Sequence, residues 1–294
     1  MRAIRLVVVS AALFGLCACH RNTKPEAGVA SPSVALSRDR AALGSPIDIT
    51  YKFVVPPDAP AFAENYHVFV HVLDSDEQVM WTDDHKPATP TTEWKPNQTI
   101  AYTRTVFVPV YPYVGEAAIH MGLYSLSTQK RLPLNGQHVG QHAYQVARLQ
   151  LLPQSENVFT IYKDGWHPAE VLEQNSLVEW RWTKKNATLA FRNPKSDALF
   201  YLELDNPGVA FEDNQQVTIG IGGRTIEQFT LVPKQTVLKK IPLKASDFGS
   251  SEMVELQIEV NKTFVPALVL ASHHDPRELG VRVFHAFIQP VVRN

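Results

Sequence analysis

Met253-Val-Glu-Leu-Gln-Ile-Glu-Val260 places Val254, Leu256, Ile258 and Val260 on one face of an extended chain and Glu255, Gln257 and Glu259 on the other. A strict period of two is the pattern of a strand buried on one side and wetted on the other. Upstream, Val217, Ile219 and Ile221 alternate in the same way and run into Gly222-Gly223, a dipeptide suited to the positive φ angles of a tight hairpin. Further runs at 199–204, 225–231, 236–243 and 279–288 bring the second half to seven or eight strands, the count of a jelly-roll-like sandwich. Val178, Trp180 and Trp182 alternate with Glu179, Arg181 and Thr183, and read as one more strand with both indoles in the core.

The first half repeats the theme. Runs at 47–55, 66–73, 99–108, 117–124 and 143–151 predict strands of an Ig-like antiparallel sandwich. In His67-Val-Phe-Val-His-Val-Leu-Asp74 both faces are largely apolar, so this strand belongs inside a sheet rather than at its edge. Connections such as those at 54–65 and 83–96 are rich in proline, which supplies no amide donor, and read as irregular loops. No helical period is sustained. A polar pause at Gln154 to Asn157 separates the halves, and 294 residues agree with about two domains. The expected organisation is a signal segment over 1–18, a solvated tether over 19–32, an Ig-like β-sandwich over 33–153 and a jelly-roll-like β-sandwich over 158–294.

Composition supports a chain that buries a core, with 45% hydrophobic and 19% charged residues. The 28 Lys plus Arg against 29 Asp plus Glu give a net charge of −1, which argues against nucleic acid as a partner. At the N-terminus Arg2 and Arg5 precede an apolar run at 6–16, too short to span a bilayer, which reads as an export signal. Both cysteines lie at 17 and 19, so the body downstream has neither disulfide nor thiol nucleophile.

Leu16-Cys17-Ala18-Cys19 resembles the lipobox of bacterial lipoproteins, departing from it in Cys17. The resemblance implies cleavage before Cys19, acylation of its thiol, and stable attachment to a membrane of the cell envelope. His20 in place of Asp after the acylated residue favours the periplasmic side of the outer membrane. Phe69-Val-His-Val-Leu-Asp74, Asp84-His85-Lys-Pro87, Trp94-Lys-Pro96, Tyr102-Thr-Arg104, Gly122-Leu-Tyr124 and Lys130-Arg-Leu-Pro133 resemble a β-sandwich module common in bacterial cell-envelope proteins. Trp180-Arg-Trp182, Val217-Thr-Ile219, Lys262-Thr-Phe264-Val-Pro266 and Arg277-Glu-Leu-Gly280 are similar to galactose-binding-like jelly rolls that accompany bacterial glycosyltransferases. These resemblances imply architecture and carry no catalytic residue.

Candidate chemistry is sparse. His67 and His71 share a strand face about 13 Å apart, too far to hold one metal together. Either could join Asp83, Asp84 or His85, although hydrogen-bonded histidines and turn-forming aspartates are the simpler reading. The polar segment His273-His274-Asp275-Pro276-Arg277-Glu278 could hold a hard cation, but reads better as a loop tied to the sandwich edge by Arg277 or Glu278. Trp81, Trp94, Tyr111, Tyr113 and Trp166 fall in or beside predicted loops, where exposed rings could stack on the C–H faces of sugars. Nucleophile elbow, zincin, P-loop and dinucleotide motifs are absent, so no cofactor, metal or catalytic residue is assigned. The expectation is a non-catalytic glycan or polysaccharide binding module, with a protein-protein scaffold as the alternative and an envelope hydrolase least favoured.

Overall fold

A computed structural model describes residues 27–270 and 273–291. The export signal and Cys19 lie outside the described residues. Among the described residues no helix is long and apolar enough to cross a membrane.

The first sandwich contains β1 (Ser31–Leu36), β2 (Arg40–Ala42), β3 (Pro46–Val54), β4 (His67–Leu73), β5 (Val79–Thr82), β6 (Thr99–Phe107), β7 (Gly115–Tyr124), β8 (Gln137–His138) and β9 (Tyr144–Leu152). One sheet has the order β1-β3-β6 and the other β2-β9-β7-β4-β5, with β8 alongside β9. Between Leu36 and Arg40 the chain leaves the first sheet for the second, so β1 runs antiparallel to β3 while β2 runs parallel to β9. This is an Ig-like arrangement. In β3 the inward Ile47, Ile49, Tyr51 and Phe53 are buried against Val68, Val70 and Val72 of β4. Burying each such side chain contributes about 1.5–3 kcal/mol. β4 is flanked on both sides, and its outward Phe69 is buried beneath the Arg131 guanidinium 4.1 Å from the ring centre.

This sandwich starts earlier than the sequence indicated. Ala30 is fully buried, the Val29 amide donates to Pro133 O, and Ser31 and Pro32 already pair with β3, so residues 29–32 are structure rather than solvated tether.

The second sandwich contains β10 (Thr160–Tyr162), β11 (Glu170–Leu172), β12 (Asn175–Trp182), β13 (Asn186–Arg192), β14 (Ala198–Asp205), β15 (Gln215–Ile221), β16 (Arg224–Leu231), β17 (Val237–Leu243), β18 (Met253–Val260), a single turn of helix α1 (Pro266–Val269), and β19 (Arg282–Pro290). The sheets are β10-β13-β18-β15-β16 and β11-β12-β19-β14-β17, antiparallel throughout, and the chain crosses between them repeatedly as in a jelly roll. β18 alternates as its sequence requires, with Val254, Leu256, Ile258 and Val260 buried. Gly222 and Gly223 take φ of 59° and 77°, the two positive values of a type I′ hairpin between β15 and β16.

The tryptophans of β12 depart from expectation. Trp180 and Trp182 share a face, but it is the outer face of their sheet. Trp182 is covered by Phe264 and Leu279, with Phe211 and Trp180 packed alongside, in a cluster separate from the sandwich core. Arg282 lies between these rings, 5.4 Å from Trp180 and 6.0 Å from Trp182, and is gripped by Asp205 through bonds of 2.8 and 2.6 Å. Alternation sorts residues by face, and both faces of this sheet are covered here, so apolar character alone pointed to the wrong one.

Candidate functional site

The five ring residues singled out in the sequence do not converge. Trp94 is buried, with Phe53 and Phe62 at centroid distances of 5.0 and 5.4 Å, and its indole N–H donates to Thr89 O at 2.9 Å. A ring enclosed in this way has no face free for a sugar, which corrects the expectation of an exposed loop tryptophan. Trp81 lies on β5, and both it and Tyr111 pack half-buried against the first core. Trp166 packs on the second core, edge-on to Tyr162 at 4.8 Å, with its N–H donated to Thr188 O. In these two indoles the N–H is taken by a nearby backbone carbonyl and the ring closes one end of a sandwich. Tyr113 donates to Glu116 O and borders a polar pocket of about 450 Å3 that also includes Glu77, His120 and Arg148.

The His and Asp residues of the first sandwich form a hydrogen-bonded clamp. Tyr51 on β3 is fully buried, so its hydroxyl needs a partner, and it donates to Asp83 Oδ2 at 2.8 Å. Arg104 on β6 holds the same carboxylate through bonds of 3.0 and 2.7 Å. His85 Nδ1 donates to Asp83 O at 2.6 Å, because a carbonyl can only accept, which leaves Nε2 to accept from the Tyr102 hydroxyl at 2.8 Å. Burial pushes the His85 pKa down, outweighing the Asp83 carbonyl that favours the charged ring. Asp84 accepts from the Val70 amide. The clamp ties β3 and β6 to the segment that follows β5 in the opposite sheet. Among the described residues, no group of three or more His, Cys, Asp or Glu is placed to hold a metal.

At the far end, Arg277 joins Asp275 to Glu170 on edge strand β11, with the Glu170 bond at 2.7 Å. Glu278 Oε1 accepts from the Thr263 hydroxyl at 2.9 Å. This loop is anchored to the sandwich edge, as its sequence suggested.

The feature that sequence reasoning missed lies between the sandwiches. The end of β6 stacks on the outer face of β19, with the Phe107 and His285 rings 3.8 Å apart and 6° from parallel, and Tyr201 of β14 meets Phe107 edge-on at 6.3 Å. Lys240 of β17 holds Asp48 of β3 through bonds of 2.7 and 2.8 Å. Burial alone would raise the Asp48 pKa, but hydrogen bonds from Lys240 and Thr105 prevail and hold it below the usual carboxylate range. The connection between the sandwiches is a single 3-10 turn at Gln154–Glu156, followed by Asn157, whose side chain donates to Leu43 O at 2.7 Å.

Beside these contacts opens a cleft of about 960 Å3. Phe107, Thr105 and residues 108–110 form one wall, and Val178, Glu179, Glu203, Leu238, Phe284 and His285 contribute to the other. The pairing of β14 with β19 shifts register between Glu203 and Leu204, at a β-bulge opposite Phe284 and His285. A bulge sets two successive residues against one, which breaks alternation and lets both Phe284 and His285 face the cleft. His285 Nδ1 donates to Glu203 Oε2 at 2.7 Å, which fixes the tautomer and leaves Nε2 of the neutral ring as an acceptor. The cleft therefore combines apolar rings, an oriented carboxylate and an imidazole acceptor, a set suited to a ligand with alternating C–H faces and hydroxyls.

No protein-family model matches the chain. No curated protein matches it. Among solved structures, a GH115 4-O-methyl-α-glucuronidase, BtGH115A, overlaps 46% of this chain and 18% of its own at 17% identity and a TM-score of 0.31. The tandem CBM22-1–CBM22-2 domain of Paenibacillus barcinonensis Xyn10C overlaps 88% of this chain and 91% of its own at 10% identity and a TM-score of 0.28. A carbohydrate-binding module of the β-sandwich superfamily overlaps 90% and 99% at 8% identity and a TM-score of 0.24. Superpositions this loose establish neither fold nor ligand, and the assignment as two β-sandwiches stands on the strand pairing of this chain.

Proposed function

We propose that this chain is a non-catalytic binding module that takes up glycan in the cleft between its sandwiches, held at a bacterial envelope membrane by acylation of Cys19. The observation that carries the glycan reading is the inter-sandwich cleft of about 960 Å3, where Phe107 and Phe284 stand beside the bonded Glu203–His285 pair. Rings supply stacking surface, and the carboxylate and imidazole accept hydroxyl protons, so one short run of sugar units finds both kinds of partner. The membrane reading rests on the charged, apolar and lipobox-like segments in order before Cys19, and placement on the outer membrane facing the periplasm rests on His20.

Titration calorimetry of the chain from residue 20 onward with oligosaccharides from peptidoglycan and surface polysaccharide tests the glycan reading. Saturable binding that falls about tenfold in Phe284→Ala, a loss of roughly 1.4 kcal/mol, is the expected result. Absence of binding across the set, or binding indifferent to Phe284→Ala and Phe107→Ala, would reject it. Globomycin-sensitive processing and acylated Cys19 in intact cells test the anchor. A protein-partner reading is favoured by edge strand β10, where Ile161 is 52% exposed, and by the adjoining Phe159, 53% exposed. Loss of a co-purifying protein in Ile161→Lys, with glycan binding absent, would support that reading instead.

A further inference from the structure

The charge of the cleft narrows the ligand class, and this step rests on the glycan reading above. Among the described residues its ionisable wall groups are Glu179, Glu203 and His285, with no Lys or Arg on the wall itself; the Arg282 guanidinium lies 5.4 Å from the centre of the Phe284 ring. Nearby cations are already engaged: Lys240 with Asp48, and Arg282 with Asp205. Arg38 gives Nη2 to Ser45 Oγ and Pro46 O and has the Asp48 carboxylate nearby, while its buried Nε has no hydrogen-bond partner. A ligand carboxylate, sulfate or phosphate would lose water and find no Lys or Arg among the described wall residues to pair with. A ligand ammonium would meet Glu203, whose carboxylate is 30% exposed and held in place by the His285 N–H. A carboxylate positioned in advance beside apolar rings gains more from a cation than a mobile one in open water.

We propose that the cleft selects glycans bearing free amines, of the partly de-N-acetylated hexosamine type, over their N-acetylated counterparts, and rejects uronate-bearing chains. Glu203 accepts from the ammonium while the aromatic walls take the sugar faces, with Glu179 adding negative potential.

Three oligomers of equal length, of glucosamine, N-acetylglucosamine and galacturonate, are titrated into the same protein in buffer at about pH 7. The expected order is amine over N-acetyl by about tenfold, with galacturonate unbound. Raising the salt should weaken the amine oligomer and leave the N-acetyl oligomer unchanged. Glu203→Gln keeps an oxygen to accept from His285 and should bring the amine oligomer down to the affinity that the N-acetyl oligomer shows in the same variant. The salt series needs no variant and decides the matter should Glu203→Gln fold poorly. Equal affinity for amine and N-acetyl oligomers, galacturonate binding, or an amine preference intact in Glu203→Gln would overturn the inference while leaving glycan binding standing. Failure of all three oligomers together with the wider set would overturn both.

Discussion

Replacing Asp83 by Ala removes the acceptor on which the clamp of the first sandwich converges. The Tyr51 hydroxyl, in a residue with no exposed surface, would lose its 2.8 Å partner. A buried donor left without an acceptor costs about 1–3 kcal/mol. Arg104 would lose two charge-assisted bonds, but its side chain is 40% exposed and water replaces much of what is lost, so that contribution is about 1 kcal/mol. The sum is about 2–4 kcal/mol. Tyr51→Phe removes the hydroxyl and leaves Asp83 bonded to Arg104, so it should cost only about 1 kcal/mol. In the double variant the unsatisfied hydroxyl no longer exists, and the two changes should couple by about 1–2 kcal/mol. Urea unfolding followed by tryptophan fluorescence, at unchanged m, reads all three variants. A cost below about 0.5 kcal/mol for Asp83→Ala, or no coupling with Tyr51→Phe, would refute the clamp as a stabilising unit.

Acid should weaken the same sandwich early. Burial lowers the His85 pKa, so the folded ring binds fewer protons than the unfolded one below about 6.5; its contribution is complete above that value and is lost as pH falls toward the lower folded value. Unfolding midpoints between pH 7.5 and 5 should therefore drop, and drop less in His85→Gln. Gly165→Ala should cost about 3 kcal/mol or more in thermal unfolding, because φ is +82° and the new methyl carbon would lie 1.8 Å from Asn186 O. Gly222→Ala meets open space at φ +59° and should cost about 1 kcal/mol, giving an internal control. Phe107→Ala removes the stack on His285 and should increase proteolysis near Gln154–Glu156, with little change in the unfolding of either sandwich alone.

The sandwich architecture was legible wherever burial of one face imposed a period of two. Met253–Val260 is the clearest case, followed by the hairpin at Gly222-Gly223. β13 escaped notice although Ala187, Leu189 and Phe191 are all buried, because two alanines dilute its β character and the lysines before it read as loop. The loop rings were visible as rings but not as exposed ones. Whether an indole faces solvent depends on which backbone carbonyl lies within reach, and Thr89 and Thr188 supply those carbonyls through folding. The cleft was illegible for a different reason. Phe107, Glu203, Phe284 and His285 come from three strands in two bodies, and a bulge sets the direction of the last two.

The split of the first strand between sheets bears on how the chain carries load applied at its N-terminal side. β2 lies parallel to β9, with Arg40, Ala41 and Ala42 opposite Gln150, Leu151 and Leu152. Tension applied from the N-terminal side and resisted through the second sandwich pulls these two strands in opposite senses along their own axes. Their hydrogen bonds are then strained side by side in shear and must yield together, whereas a hairpin pulled open at its ends surrenders its bonds one after another. Under the attachment through Cys19 proposed above, the antiparallel β1–β3 pairing would meet the load first, and the β2–β9 seam behind it would yield only in shear.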